Sequence, residues 1–129
     1  MKRIYFDPYC FKGGTESQES INIWTAYKEE FKDLKEFFKF CMNDDINETV
    51  VSKTDRDNLI DKWLLESKSI SSEEFFKSLF YIDFLKDKSD IKIPSKVNEA
   101  LCMNSDWNYI FCAADAKDYY YGFSWETLA

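Results

Sequence analysis

Apolar residues between positions 21 and 42 recur at alternating intervals of three and four. They are Trp24, Tyr27, Phe31, Leu34, Phe38 and Cys41. An α-helix brings residues three and four apart onto one face, so this spacing predicts a helix over residues 21–42 with one buried stripe. The intervening residues carry charges of mixed sign, which we interpret as a face solvated by water.

Two further helices are indicated by residues that cap helix starts. Thr54 is predicted to be the N-cap of a second helix, which buries Leu59, Ile60, Trp63 and Leu64. Ser71 and Glu74 match a capping box ahead of an apolar segment that extends to Leu85. Because apolar positions wrap more than half of this third helix, we expect it to lie deep in the core.

Strand patterns occupy both ends of the chain. Residues 2–6 have strand composition, and Pro8 disfavours helix before it. Residues 107–113 and 119–125 are aromatic-rich runs with a short, mostly small or charged segment between them, which predicts a C-terminal β-hairpin. Because side chains alternate along a strand, the alternate aromatic residues of each run are expected to lie on one side of that strand.

Three remaining segments have weaker patterns. Residues 12–20 are rich in glycine and serine and are predicted to be a loop. Residues 89–94 are assigned a very short strand, and residues 95–102 a short helix that follows Pro94.

These elements predict the fold class. Residues 1–129 show neither an internal repeat nor a linker between domains, and a chain of this length suits one compact core. We expect a single α+β domain in which helices pack on a small antiparallel sheet with a C-terminal β-hairpin. The N-terminal strand is expected to pair with that hairpin and extend the sheet.

Composition favours binding over catalysis. The chain has 24 acidic and 17 basic side chains, a net charge of −7, no histidine and 19% aromatic residues. It lacks the histidine that usually activates a serine or cysteine nucleophile, a Gly-x-Ser-x-Gly elbow and a phosphate loop. We therefore predict no enzymatic activity, no catalytic residue and no cofactor. An enzyme that uses Asp or Glu remains the alternative.

The cysteines do not have the spacing of a metal site. Cys10, Cys41, Cys102 and Cys112 are too far apart for a zinc knuckle, so no metal is predicted. Neither a signal peptide nor an apolar run of about 20 residues occurs, so we expect a cytosolic protein that does not enter a membrane. Buried reduced thiols are then favoured over disulfides.

The negative charge is concentrated in the middle of the chain. Residues 44–90 carry seven basic and twelve acidic side chains. The candidate partner-binding acids there are Asp44, Asp45, Glu48, Asp55, Asp57 and Asp61. A shared acidic surface would attract basic proteins and repel nucleic acid, so no direct nucleic-acid binding is predicted. The alternative is that two of these acids cap a helix and the others solubilise a loop.

A second candidate surface lies at the hairpin. Residues 119–121 are three consecutive tyrosines, and alternation in a strand turns at least one ring away from a one-sided core. Tyr120, Asp115 and Asp118 are the candidate contacts for Lys and Arg side chains. Packing of all three tyrosines between sheet and helices is the alternative.

The closing segments, residues 107–113 (WNYIFCA) and 119–125 (YYYGFSW), resemble the end of many small bacterial immunity proteins. The acidity, the size and the abundance of Lys, Asn, Ile and Phe are also similar to the immunity partners of contact-dependent growth inhibition toxins. The resemblance implies an antitoxin that binds a delivered toxin domain, often a basic nuclease, and blocks its active site or substrate groove. It assigns no role to any single residue.

The acidic charge agrees with that role, because a nuclease attracts phosphates with Lys and Arg and its inhibitor can match the same surface with carboxylates. An acidic nucleic-acid mimic that inhibits a DNA- or RNA-binding enzyme is the alternative binding function.

Overall fold

The computed structural model describes residues 2–6, 19–46, 52–79, 93–103 and 109–127. Their strands and helices are β1 Lys2–Phe6, β2 Glu19–Tyr27, α1 Leu34–Ile46, α2 Lys53–Glu66, β3 Lys68–Ile70, α3 Ser72–Ser78, β4 Glu99–Cys102, β5 Tyr109–Asp115 and β6 Tyr119–Thr127. In these ranges six strands form one antiparallel sheet in the order β1-β2-β6-β5-β4-β3. The predicted α+β domain with a C-terminal hairpin is confirmed.

Both faces of the sheet are buried. One face, here called the α3 face, packs Ile21, Ile23, Cys112, Tyr121 and Phe123 against Phe75 of α3. The other, the α1–α2 face, packs Trp24, Phe111 and Tyr120 against α1 and against Ile60 of α2. The central strands β2, β6 and β5 therefore carry apolar side chains on both sides, as in any sheet enclosed between two layers.

The first half of the predicted 21–42 helix is wrong, because residues 19–27 form β2. Ile21, Ile23 and Thr25 are β-branched and favour extended backbone, and β2 lies between β1 and β6, which saturate its backbone. A 3₁₀ turn at Lys28–Glu30 separates this strand from the helix. Positions 24 and 27 matched a helical interval, but in the strand they lie on opposite sides, where Trp24 is fully buried and Tyr27 is 72% exposed.

The second half of that prediction is confirmed by α1. The helix buries Leu34, Phe37, Phe38, Cys41, Met42 and Ile46. Its start is marked by Asp33, whose Oδ1 accepts a hydrogen bond of 2.8 Å from the Glu36 backbone N–H. Such a bond satisfies one of the donors that a helix start leaves without a partner.

The second helix begins slightly earlier than predicted. Ser52, and not Thr54, is the N-cap of α2, because its hydroxyl accepts from the Asp55 N–H at 3.2 Å. Ile60 is buried, whereas Leu59, Trp63 and Leu64 are half-buried. This helix therefore lies on the outside of the α1–α2 face.

The capping box of the third helix is confirmed. Ser71 accepts from the Glu74 N–H at 3.1 Å, and the Glu74 carboxylate accepts from the Ser71 N–H at 3.3 Å. The helix is nevertheless shorter than expected, since it ends at Ser78 and Phe75 is its one buried residue. The predicted extension to Leu85 falls largely on residues 80–85, outside the described residues.

Residues 99–102 form the strand β4 between β3 and β5, so the helix predicted over residues 95–102 is wrong. Alternate residues Ala100 and Cys102 point into the core, which is a strand period of two. Of the short strand expected over residues 89–94, only 93 and 94 are described, and neither is in a strand. Of the loop predicted over residues 12–20, residues 12–18 lie outside the described ranges, and residues 19 and 20 belong to β2 instead.

The N-terminal strand is confirmed, but it pairs with β2 and not with the hairpin. The hairpin itself consists of β5 and β6, joined by residues 116–118. Its two aromatic sets lie on opposite faces of the sheet, Phe111 on the α1–α2 face and Tyr121 and Phe123 on the α3 face. No helix in the described parts of the chain is long and apolar enough to cross a bilayer.

Gly122 allows α1 to approach the centre of the sheet. A Cβ at this position would lie 3.1 Å from the Cys41 Sγ and 3.4 Å from a ring carbon of Trp24. We predict that Gly122→Ala lowers the free energy of unfolding by about 1–3 kcal/mol, because the added methyl group overpacks a buried contact. Urea unfolding followed by tryptophan fluorescence measures this change.

Cys41→Ala provides the matched control, since it removes the nearest atom. In a double-mutant cycle, the loss from Gly122→Ala should be smaller when Cys41 is already alanine. Equal losses in both backgrounds would show that the Cys41 contact does not limit the space above Gly122.

Candidate functional site

Helix α2 presents an acidic and apolar surface to solvent. Asp57, Asp61 and Leu65 follow one another at intervals of four residues, so they lie one above the other on the same side of the helix. Both aspartates are exposed, and Leu65 is 86% exposed. We call these three residues the α2 patch. Among the described residues, no ion pair neutralises Asp57 or Asp61, so their charges act on the surrounding solvent.

A groove of about 670 Å³ lies beside the patch, between the start of α1 and the end of α2. It is lined by Lys32, Asp33, Lys35, Glu36, Lys39, Asp61, Leu64 and Leu65. Three lysines face three acids in this lining, so the groove favours neither sign of charge. Leu64 and Leu65 supply its apolar part, and Asp61 joins the groove to the patch.

Asp44 supports the core. It lies near the end of α1, and its Oδ2 accepts a hydrogen bond of 2.7 Å from the Trp24 indole Nε1. Trp24 is fully buried and its ring stacks on Phe111 with centroids 5.3 Å apart. A buried indole N–H requires an acceptor, and Asp44 provides one.

The other candidate acids do not all join the α2 patch. Asp45 is half-buried in the last turn of α1. Burial is the main reason why the pKa of Tyr109 is raised, and the negative charges of Asp45 and Glu126 raise this pKa further. Asp55 is exposed in the first turn of α2, but it is two positions from Asp57 and therefore projects from a different side. Glu48 lies outside the described residues.

The second candidate surface, at the hairpin, is mostly buried or half-buried. Asp115 forms an ion pair with Lys28 and also accepts a hydrogen bond of 2.9 Å from the Lys117 N–H. Lys117 has a φ of 76° at the tip, a left-handed conformation in which this hydrogen bond helps to hold the turn. Asp118 remains exposed.

Tyr120 is not the exposed ring that the sequence predicted. It is 2% exposed, stacks on Phe37 with centroids 5.2 Å apart, and has the Lys28 Nζ 4.5 Å from its ring centroid. Tyr121 is buried on the α3 face, and Tyr119 is half-buried. The expectation of an outward ring assumed a one-sided core, whereas this sheet is covered on both sides.

Sequence reasoning missed Leu65. The residues at 60 and 64 belong to the inward side of α2, and a helix rotates each following residue by about 100°, so Leu65 is turned away from that side. An apolar residue directly after an inward position was the signal that could have identified it.

Three cysteines are buried, as predicted: Cys41, Cys102 and Cys112. Cys10 lies outside the described residues. Within the described ranges, no group of three or more His, Cys, Asp or Glu side chains is arranged to hold a metal ion.

A scan of protein-family models finds no match to this chain, and searches of curated proteins and of solved structures find none either. The α2 patch is therefore defined by its own geometry. It combines two exposed carboxylates with one exposed apolar side chain, groups that can contact another protein.

We predict that Asp44→Ala lowers the free energy of unfolding by about 1–3 kcal/mol, because it leaves the buried Trp24 N–H without this acceptor. Asp44→Asn keeps an acceptor oxygen and should lose less. Chemical denaturation with near-ultraviolet circular dichroism of the tryptophans measures both effects.

Asp57→Ala is the matched control, since it removes an exposed aspartate and should change stability by no more than about 0.5 kcal/mol. If Asp44→Ala were equally neutral, the hydrogen bond to Trp24 would contribute nothing to the fold.

Proposed function

We propose that the protein is a cytosolic immunity protein that binds a cognate basic toxin domain, a nuclease, and blocks its active site or substrate surface. The observation that carries this proposal is the α2 patch, in which two exposed and unneutralised aspartates adjoin an exposed leucine. The carboxylates attract a cationic partner over a distance, and Leu65 supplies an apolar contact once the two proteins meet.

Charge supports a basic partner. The whole chain carries a net charge of −7, and the two aspartates of the patch have no cation three or four residues away except Lys53. A nuclease concentrates Lys and Arg where it holds phosphates, so the same surface is attractive to closely spaced carboxylates. Inhibition then follows from occupation of the substrate surface.

The order of residues along α2 favours a protein-binding surface over a nucleic-acid mimic. A mimic requires carboxylates that continue along an extended face as phosphates do. Here the position that follows Asp61 by one turn is Leu65, and the neighbouring groove contains three lysines. The acidic row therefore ends after two members and continues as an apolar contact.

The size of a stable interface indicates that contact extends beyond the patch. Specific complexes bury about 800 Å² on each partner, more than three side chains provide. The groove between α1 and α2 is continuous with the patch through Asp61 and offers both apolar and charged groups. We place the toxin across α2 and the start of α1.

The test compares two variants of equal net charge. Asp57→Lys/Asp61→Lys reverses the patch, and Glu73→Lys/Glu99→Lys reverses two exposed acids on α3 and β4. Association with candidate basic toxin domains, taken from the reading frames that neighbour this gene, is measured by stopped-flow fluorescence at several salt concentrations. The patch variant should associate at least about tenfold more slowly at low salt and lose most of its salt dependence, whereas the control should change less than about threefold.

A Leu65→Ala variant separates attraction from contact. It should leave the association rate nearly unchanged and raise the dissociation rate by about three- to tenfold, because rim charge governs approach and apolar contact governs release. If both charge variants slowed association equally, the patch would not be the contact surface. If the wild-type protein bound no toxin domain and gave no protection in a growth assay, the immunity function would be rejected.

A further inference from the structure

Two cysteines face each other across β4 and β5. Cys102 lies directly opposite Cys112 in the strand register. The next pair, Met103 and Phe111, shares a backbone hydrogen bond of 3.0 Å. Since hydrogen-bonded and non-hydrogen-bonded pairs alternate in an antiparallel ladder, the cysteines occupy a non-hydrogen-bonded pair, where Cα atoms are about 4.5 Å apart. Disulfides span Cα separations of about 4.4–6.8 Å.

The two sulfur atoms are already in contact. The Cys112 thiol donates to the Cys102 Sγ at 2.8 Å. Both residues belong to the buried cluster on the α3 face, where Cys112 is 0% exposed and Cys102 is 9% exposed. Cys41 packs in the cluster on the opposite face of the sheet. The sheet therefore separates it from this pair.

The surroundings shift the pKa values of the two thiols in opposite directions. The hydrogen bond from Cys112 lowers the pKa of the Cys102 thiol, against the opposing effects of burial and of the nearby Glu74 carboxylate. Donation of that hydrogen bond, and then burial, raise the pKa of the Cys112 thiol. Because the thiolate is the attacking form, the lowered pKa of Cys102 and its greater exposure favour Cys102 as the nucleophile of the pair.

We propose that Cys102 and Cys112 are a site of reversible oxidation, at which a small disulfide oxidant such as glutathione disulfide converts them to a cross-strand disulfide. The Cys102 thiolate attacks one sulfur of glutathione disulfide, breaks its S–S bond and releases one glutathione thiolate. Cys112 then loses its proton, and its sulfur attacks the Cys102 sulfur and releases the second glutathione thiolate. The two cysteines are oxidised by two electrons, glutathione disulfide is reduced, and the two protons pass to the released thiolates.

The test uses the native wild-type protein in glutathione buffers of increasing disulfide-to-thiol ratio. After an acid quench and alkylation of free thiols, trypsin releases residues 97–117 as one peptide, which carries both cysteines between Lys96 and Lys117. Mass spectrometry should find this peptide unalkylated and two hydrogen atoms lighter at ratios where the Cys41 peptide is still alkylated. Its oxidation should be about tenfold faster than modification of Cys41, because thiolate fraction and access set the rate.

Single alanine variants assign the roles. Cys112→Ala should accumulate a glutathione adduct on Cys102, Cys102→Ala should leave Cys112 free, and Cys41→Ala should oxidise as the wild type does. Two alkylated thiols on the wild-type 97–117 peptide at every ratio would overturn the proposal, and this result needs no variant to fold. Adduct formation on Cys112 ahead of Cys102 would overturn the assignment of the nucleophile. The toxin takes no part in these measurements, so they are independent of the immunity function.

Discussion

Burial of both faces of the sheet is the constraint on which the rest of this structure depends. Where both sides of a strand are covered, a polar side chain cannot reach water, so each buried polar group on β2 or β6 needs an internal partner. Asn22 and Ser124 meet this need directly, because they are opposite each other in the register and joined by a hydrogen bond of 3.3 Å. The indole of Trp24 meets it through Asp44. The Tyr121 hydroxyl is the exception in the described part of the chain, since it is buried without a hydrogen-bond partner there.

The same constraint decides where recognition can occur. Because the sheet faces are used by the core, a partner has access to the helices that cover them and to the sheet margins. The core places few constraints on helix α2, as Ile60 is its one buried residue. Its outer side can therefore carry Asp57, Asp61 and Leu65 at little cost to the fold. The acids that the core does use, Asp44 and Asp115, are held by Trp24 and Lys28.

How much of this could be predicted from the sequence depended on whether the signal was local. The capping box at Ser71 is read from four residues and was correctly placed, because its hydrogen bonds are made within one turn. The hairpin was correctly identified for the same reason. The strand β2 was missed because Trp24 and Tyr27 matched a helical interval, and its pairing with β1 and β6 could not be read from local spacing.

In the candidate site, too, local features could be predicted from the sequence and contacts between distant residues could not. The sequence predicted one acidic surface that joined Asp57 and Asp61 with Asp44, whose hydrogen bond to Trp24 joins residues twenty positions apart. It also placed Tyr120 at the surface, since the packing of Phe37 on that ring could not be read from local alternation. The facing of Cys102 and Cys112 likewise depends on a register between two strands, one of which had been predicted to be a helix.

The edge strand β3 affects how readily the protein aggregates in a crowded solution. This strand is three residues long, pairs with β4 alone among the described strands, and exposes Lys68 and Ser69. A neighbouring molecule that added a strand there would gain a ladder of at most three residues and would have to accommodate a lysine ammonium group. Strand pairing between molecules is therefore unfavourable at this edge, which helps an aromatic-rich chain to avoid fibrous aggregation.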